Sequence, residues 1–570
     1  MINHKNLFIY FLVFFISLLS FIVFELYFLI NFDEHNAWYT LFKNHVYDEV
    51  NTYFLKIFII QNFNFSFNLL NENYVFITTF FSTIQNYLIY LIVDIKYLQF
   101  FSNIFVFSIN FFIYLYIFKK FFYLKNDLAF FSSIFLVLSF GYGPFTYNEI
   151  FNLITFSKNH LITLARSEAP GNSNICFLIS LILLFFSYKQ KNYLIFSLAI
   201  IVGFFSYFYN TLILFAFFNL IFLFKFYLNK FKFTKDIIIR VSLTIFFFSI
   251  WCLLILNSDP YSNLTSVVIK NSPNDLKTII ICIIFILLNL ANIYLNKCKK
   301  SINISIYLII FLISFSSSYY SNLITGVSLG GEDHFYYFSN QAYWFSILNI
   351  LFYLRNIKLF INIFKLIIIF FSILNFFNFL KYSQNYFNLN SNNIVMQNDY
   401  HKKYKDLNPF INEKVILLDY RSVEFFNTYK NIDNFLINYF DTNFSAKVRL
   451  DKFLSVCKTL NFEFDRCYQL LTNKSKLLPK NISHNYLSLI FGQDKADGFY
   501  HSIRKKPIHV NDLKSELEKQ YKVSNQISDE YNIIVNYFEY PNLDLLDVEN
   551  KSYEKKILND YFLLMKKKKL

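Results

Sequence analysis

Charged residues make up only 16% of this 570-residue chain, and 55% of it is hydrophobic, where a soluble protein carries about 25% charge. That balance excludes a disordered chain and an ordinary soluble enzyme. Cysteine is sparse too: six residues with no C-x-x-C pair, so neither a zinc ribbon nor a dithiol redox motif is present. With nine glycines in all, no phosphate-cradling glycine loop occurs, nor does H-E-x-x-H or G-x-S-x-G. Soluble-type nucleotide-sugar enzymes and hydrolases are thereby set aside. No repeat of about 20–50 residues marks symmetric halves, and no series of charges runs through the apolar segments as a proton relay or voltage sensor needs. Glu25, near the outer end of the first apolar run, reads as a snorkelling or interfacial group. The 79 phenylalanines, beside abundant Asn, Ile and Lys, fit an AT-rich coding sequence, so no single Phe or Asn is a signal by itself.

What charge there is sits unevenly. Residues 1–380 hold 24 Lys and Arg and 15 Asp and Glu, whereas residues 381–570 hold 29 and 23 in half the length. The chain therefore reads as a membrane part, 1–380, followed by a water-soluble part, 381–570. A net charge of +15 invites a nucleic-acid reading, but in the membrane part most basic residues lie in short runs between apolar segments. That pattern sets orientation and leaves no nucleic-acid partner.

A spanning helix needs about 20 apolar residues. Residues 7–31 are too long for a signal-peptide core and lack its cleavage site, so they read as an uncleaved anchor with Lys5 inside. Further runs occupy about 100–118, 127–141, 175–188, 193–209, 211–229, 237–256, 278–296, 302–319, 337–354 and 359–380. A weaker run at 76–93, rich in Thr, Ser, Gln and Asn, is taken to lie along the outer surface. Eleven spans then place Lys119/Lys120/Lys125, Lys189/Lys191, Lys225 to Arg240, Lys297/Lys299/Lys300 and Arg355/Lys358 inside, with Lys270 and Lys277 as exceptions. Loops 32–99, 142–174, 257–277 and 320–336 fall outside, and so does the tail. The expected location is the inner (plasma) membrane, N-terminus cytoplasmic, tail extracytoplasmic (periplasmic).

The tail mixes strand-like runs at Val415–Asp419 and Asn532–Phe538 with helical stretches at Ala446–Leu460 and Val510–Gln520, enough for one α/β or α+β domain. It ends in Lys566–Lys569, a solvated end or a contact for anionic lipid. Cys457 and Cys467, ten apart, bridge if this part faces an oxidising space and otherwise stay free. Cys176, Cys252, Cys282 and Cys298 read as small core residues.

Three outer loops carry chemistry. The first opens Asp33-Glu34-His35, immediately beyond the first span, where a carboxylate fixed by a helix end can act as general base or hold a divalent cation; polar residues are also simply what a helix leaving the membrane needs. The second carries Lys158 and, before a span, Arg166-Ser167-Glu168-Ala169-Pro170. An Arg fork just outside the membrane suits a lipid phosphate, while Arg166 and Glu168 could equally form a structural ion pair. The fourth reads Gly326-Val-Ser-Leu-Gly330-Gly331-Glu332-Asp333-His334, a glycine-rich loop able to fold tightly over a ligand, or an interfacial loop before a helix. Glu332, Asp333 and His334 have the atoms of a metal site, but no spacing fixes one.

An N-terminal span ending in an acidic pair, a long first outer loop, an Arg and a Pro before a later span, a Gly-containing Tyr-rich segment at Gly203–Asn210, and a late Thr325-Gly326 with His334-Phe335 resemble the GT-C superfamily of polytopic glycosyltransferases. The resemblance covers residues 1–380. It implies an inverting transferase that takes a sugar from a polyprenyl-phosphate carrier at the outer face and modifies a cell-envelope glycan, lipid or protein. By that resemblance Asp33 and Glu34 are catalytic, with Asp33 the base. Arg166, His334 and Lys158 meet the donor phosphate, and His35, Glu168, Glu332 and Asp333 support them. The signature Trp-Trp-Asp of oligosaccharyltransferases is missing. Two other readings stand beside it: a non-enzymatic envelope scaffold, and a transporter or flippase of a lipid-linked glycan.

Overall fold

The computed structural model describes residues 4–31, 80–93, 97–140, 171–256, 267–269, 276–296, 298–321, 323, 327–329, 333–351, 357–404, 409, 415–417, 446–459, 462–472, 510–525, 532–536, 553–557 and 562–567. They fall in two compact units, the first drawn from 1–41, 78–253 and 269–391 and the second from 254–268 and 392–570.

The first unit is a bundle of helices: α1 (His4–Asn31), α2 (Phe80–Tyr90), α3 (Leu98–Lys120), α4 (Asn126–Ser139), α5 (Ser173–Gln190), α6 (Tyr193–Phe204), α7 (Phe208–Leu228), α8 (Lys235–Leu256), α9 (Leu276–Leu295), α10 (Lys299–Tyr319), α11 (Asp333–Leu351) and α12 (Lys358–Tyr404), with the short strand β2 (Val327–Leu329); the ends of α8 and α12 and most of the short strand β1 (Val267–Ile269) count with the second unit. Eight of the described helices, α1, α3, α5, α7, α8, α9, α10 and the first part of α12, are long and apolar enough to cross a bilayer. The chain is a polytopic helical membrane protein.

Each of the eleven apolar runs in the sequence coincides with one helix, but not every helix has the length of a span. With 14 and 12 residues, α4 and α6 are about 21 and 18 Å long, short of the ~30 Å hydrocarbon core. Protein, not lipid, surrounds α4: Leu128, Phe131, Ile134 and Leu138 are all 1% exposed or less. A helix so enclosed has no need to match the bilayer. Helix α6 turns directly into α7, with Ser206 Oγ donating to Gly203 O (2.9 Å) and Thr211 Oγ1 to Phe204 O (2.7 Å). Gly203 permits this: a Cβ there would lie 2.5 Å from Leu214 Cδ1 and 2.6 Å from Ser180 Oγ.

Two sequence expectations need correcting. The polar residues of the 76–93 run do not face water: Ser82, Thr83 and Asn86 of α2 are buried against the bundle, while Leu88, Leu91 and Ile92 are exposed. An amphipathic helix on an aqueous surface would show the reverse. Eleven residues make about 16 Å, so α2 does not span. Glu25 is not a snorkelling group either; at 1% exposure it lies inside the bundle.

The phenylalanines fill the core by edge-to-face packing, as where Phe14 meets Phe107 and Phe111 at 5.2 and 5.0 Å and Phe135 meets Trp344 at 4.7 Å. Two charged groups of the bundle tie helices together. Asp127 of α4 accepts from Lys365 of α12 and Tyr10 of α1. Arg240 of α8, fully buried, donates to Asp236 (2.9 Å) and to Ser187 Oγ and O of α5 (2.9 and 3.1 Å), with its guanidinium over the rings of Tyr188 and Phe196.

Beyond residue 392, the second unit contains α13 (Ala446–Thr459), α14 (Phe464–Thr472), α15 (Val510–Val523) and strands β3 (Val415–Leu417), β4 (Asn532–Asn536), β5 (Tyr553–Ile557) and β6 (Phe562–Lys567). The sheet order is β3-β4-β6-β5, with β3 parallel to β4 (Val415 opposite Asn532) and the other pairs antiparallel (Ile534 opposite Leu564, Lys555 opposite Met565). Lys566 and Lys567 close β6, where they pair with Glu554 and Tyr553 of β5. Cys457 of α13 and Cys467 of α14 form a disulfide. Phe453, Leu454, Val456, Phe462 and Leu517 pack into a small buried core nearby. Lys514 of α15 reaches Asp465 of α14 at 2.8 Å, and that hydrogen bond holds its ammonium above the usual lysine range; so exposed a pair adds little to stability.

Candidate functional site

Helix α3 carries Gln99, Asn103, Asn110 and Tyr114, a spacing of four, seven and four that puts all of them on one helical face. That face is turned into the bundle, and the four residues are at most 8% exposed. Buried amides must find partners, and these do so across helices. Asn103 Nδ2 donates to Glu25 Oε1 of α1 (2.8 Å), and Gln99 Nε2 donates to Asn103 Oδ1 (3.2 Å). One residue away, Ser102 Oγ donates to Asn86 Oδ1 of α2 (3.2 Å), which also accepts from Asn172 Nδ2 (2.9 Å). Asn172 Nδ2 is held by Ser82 O as well (3.2 Å), and Ser82 Oγ donates to Ser206 O (2.6 Å). Asn210 of α7 closes this branch through Ser206 Oγ (3.2 Å) and Ser173 O (3.1 Å).

A second branch goes deeper. Asn174 Nδ2 of α5 donates to Asn110 Oδ1 (2.7 Å) and Tyr114 OH (3.1 Å), and Gln341 Nε2 of α11 reaches Tyr114 OH and Asn174 Oδ1 (the latter at 3.4 Å). Six helices thus contribute to adjoining polar clusters, linked along the chain at Ser102–Asn103 and Ser173–Asn174 and together called the network below. Most of its members sit at matching ends: Glu25 in the last two turns of α1, Gln99 to Asn103 at the start of α3, Asn172 to Asn174 at the start of α5, Asn210 at the start of α7. Those are the ends from which 32–79 and 141–170 depart, opposite the ends that carry Lys119, Lys120, Lys189, Lys225 and Lys300.

Two buried acceptors of the network, Asn172 Oδ1 and Asn210 Oδ1, have no hydrogen-bond partner among the described residues. Each amide's orientation is fixed by its Nδ2 donating to a backbone carbonyl, so flipping the amide does not remove the deficit. Such atoms accept from a hydroxyl, an amide or water. Chemically the network offers carbonyl oxygens and one carboxylate, all buried within the bundle.

Separately, a cavity of about 290 Å³ lies among α3, α5, α7, α10 and α11, walled by aromatic and aliphatic side chains and touching the network at Gln341.

The residues singled out from sequence are placed as follows. Asp33, Glu34, His35, Lys158, Arg166, Glu168 and Glu332 lie outside the described residues. Asp333 and His334 open α11, and their side chains lie outside the description. Among the described residues no three His, Cys, Asp or Glu gather as a metal site. The network itself went unread in the sequence, where Asn is too common to stand out; the usable signal was the Gln99/Asn103/Asn110/Tyr114 stripe inside an otherwise apolar run. No protein-family model matches the chain, and no curated protein matches it.

Proposed function

We propose that this protein is a GT-C-type glycosyltransferase that moves a sugar from a polyprenyl-phosphate carrier to an envelope glycan, lipid or protein at the outer face of the membrane. The observation that carries the reading is the amide network at the loop-bearing ends of α1, α3, α5 and α7. In sequence, α1 and α5 lead directly to the segments that carry Asp33, Glu34, Lys158 and Arg166. Helix α1 ends at Asn31, so Asp33 and Glu34 follow within three residues of a helix anchored through Glu25. In this reading Asp33 takes the proton of the acceptor hydroxyl as it attacks the anomeric carbon, the carrier phosphate leaves, and Arg166, with Lys158 and His334, meets its charge. No metal is assigned.

The disulfide supports an extracytoplasmic α/β or α+β domain at 381–570, because such bonds persist in oxidising spaces. If α4, α6 and α11 cross together with the eight long apolar helices, the count is eleven, and an odd number after a cytoplasmic N-terminus leads to the same side. A transporter reading fits less well, since the cavity among α3, α5, α7, α10 and α11 is walled mainly by apolar side chains.

The test is to make Asp33→Asn and Glu34→Gln in the full chain and to measure sugar transfer to surface glycan. A loss of at least about a hundredfold in one of them is expected for a general base. Unchanged glycan in both, at normal protein level, would sink the proposal.

A further inference from the structure

The cavity among α3, α5, α7, α10 and α11 has no part in the polar network beyond Gln341, and its shape identifies an occupant. On α10 it is lined from Lys300 to Phe311, eleven residue steps or about 16 Å of helix, which is close to half of the ~30 Å hydrocarbon thickness. Its inner end is closed by Phe177, Phe217, Phe338 and Gln341, all 4% exposed or less. Its other end is polar and open: Lys300, Asn303 and Tyr123 line it and are exposed, with Lys300 Nζ 3.4 Å from the Tyr123 ring centre. Lys119, Lys120, Lys125 and Lys299 are exposed at the same helix ends.

A slot one leaflet deep, apolar along its length and cationic at its mouth, matches one chain and one phosphate of a membrane lipid. Soluble metabolites would waste the apolar wall, and a neutral lipid would leave the cations unused. We propose that this cavity holds an acyl chain of an anionic phospholipid from the leaflet on the lysine-rich side. Its phosphate meets Lys300, assisted by the Asn303 amide one turn along α10. The lipid would act as a structural wedge between α5, α10 and α11. This is independent of the transferase reading, whose chemistry lies at the opposite helix ends.

The experiment uses the full chain in nanodiscs of equimolar phosphatidylcholine and phosphatidylglycerol, ejected for native mass spectrometry. Wild type is expected to retain one phosphatidylglycerol in preference to phosphatidylcholine. Lys300→Glu, an exposed change that leaves the wall intact, should lower that preference about tenfold. Leu181→Trp, which fills the slot, should abolish retention. Equal retention of the two lipids, or an unaltered preference in Lys300→Glu, overturns the proposal. So does extraction of a polyprenyl phosphate as the retained species, which would make the cavity a carrier site. If Leu181→Trp does not fold, the charge reversal decides alone.

Discussion

A carboxylate 1% exposed within a helical bundle is costly unless hydrogen bonds satisfy it, and Glu25 receives one from Asn103 Nδ2 at 2.8 Å. The same amide accepts from Gln99, so Asn103 serves both as donor to the carboxylate and as the link to the rest of α3. Removing the donor while leaving the acid should cost about 1–3 kcal/mol. Asn103→Leu is therefore expected to lower the melting temperature of the detergent-solubilised protein clearly, and Gln99→Leu by less. Equal, negligible shifts for both would show that Glu25 does not depend on this bond. The sequence could not disclose the pair, because its members are 78 positions apart and neither has an informative neighbour.

At the scale of elements, polar contacts decide where apolarity is indifferent. Lipid tails are as apolar as Leu or Phe, so hydrophobicity inserts helices without choosing their neighbours, and packing with buried hydrogen bonds makes the choice. Asn289 and Asn292 of α9 join Ser346 of α11 and Ser305 of α10 (each 2.9 Å), and Asn349 of α11 donates to Ser305 as well. Arg240 joins α8 to α5 in the same way, with three donors on Asp236 and both Ser187 oxygens. Asp236 is 37% exposed, so solvent takes up part of its charge when the partner goes. Arg240→Ala should then cost about 2–3 kcal/mol, read as earlier thermal unfolding. Arg240→Lys should rescue little, since one ammonium cannot reach both Ser187 oxygens and the carboxylate in the Arg geometry. Full rescue by Lys would reduce the site to a simple charge. Helix α2 belongs to the same logic: the amides that suggest a wet surface helix in sequence are the ones that bind α2 to α3 and α5.

At the scale of the whole molecule, a helical membrane bundle is followed by a second unit whose sheet runs β3-β4-β6-β5. The Cys457–Cys467 bond closes a ten-residue loop there, a constraint worth about 2–3 kcal/mol. Cys457→Ser is expected to make residues 392–570 more sensitive to protease, and thiol-reactive label should modify neither cysteine of the wild type until reductant is added. Ready labelling of both without reductant would remove the bond, and with it one of the two supports for an extracytoplasmic tail.

The apolar helices, the lysine-rich helix ends and the tail's first elements were legible because they depend on local composition and period: twenty apolar residues are a span whatever lies elsewhere. The tail's last strand was not, since its pairing depends on β4 and β5 from elsewhere in the chain. The acidic and basic loop residues remain the sequence's own contribution to the proposed site. Only the tertiary structure decided which amides meet, that Glu25 turns inward, that α2 buries its polar face, and that a slot one leaflet deep opens beside Lys300. The reason is physical. Insertion is a property of each segment against lipid, whereas partnering a buried polar group, or leaving a cavity, is a property of segments brought together from distant parts of the chain.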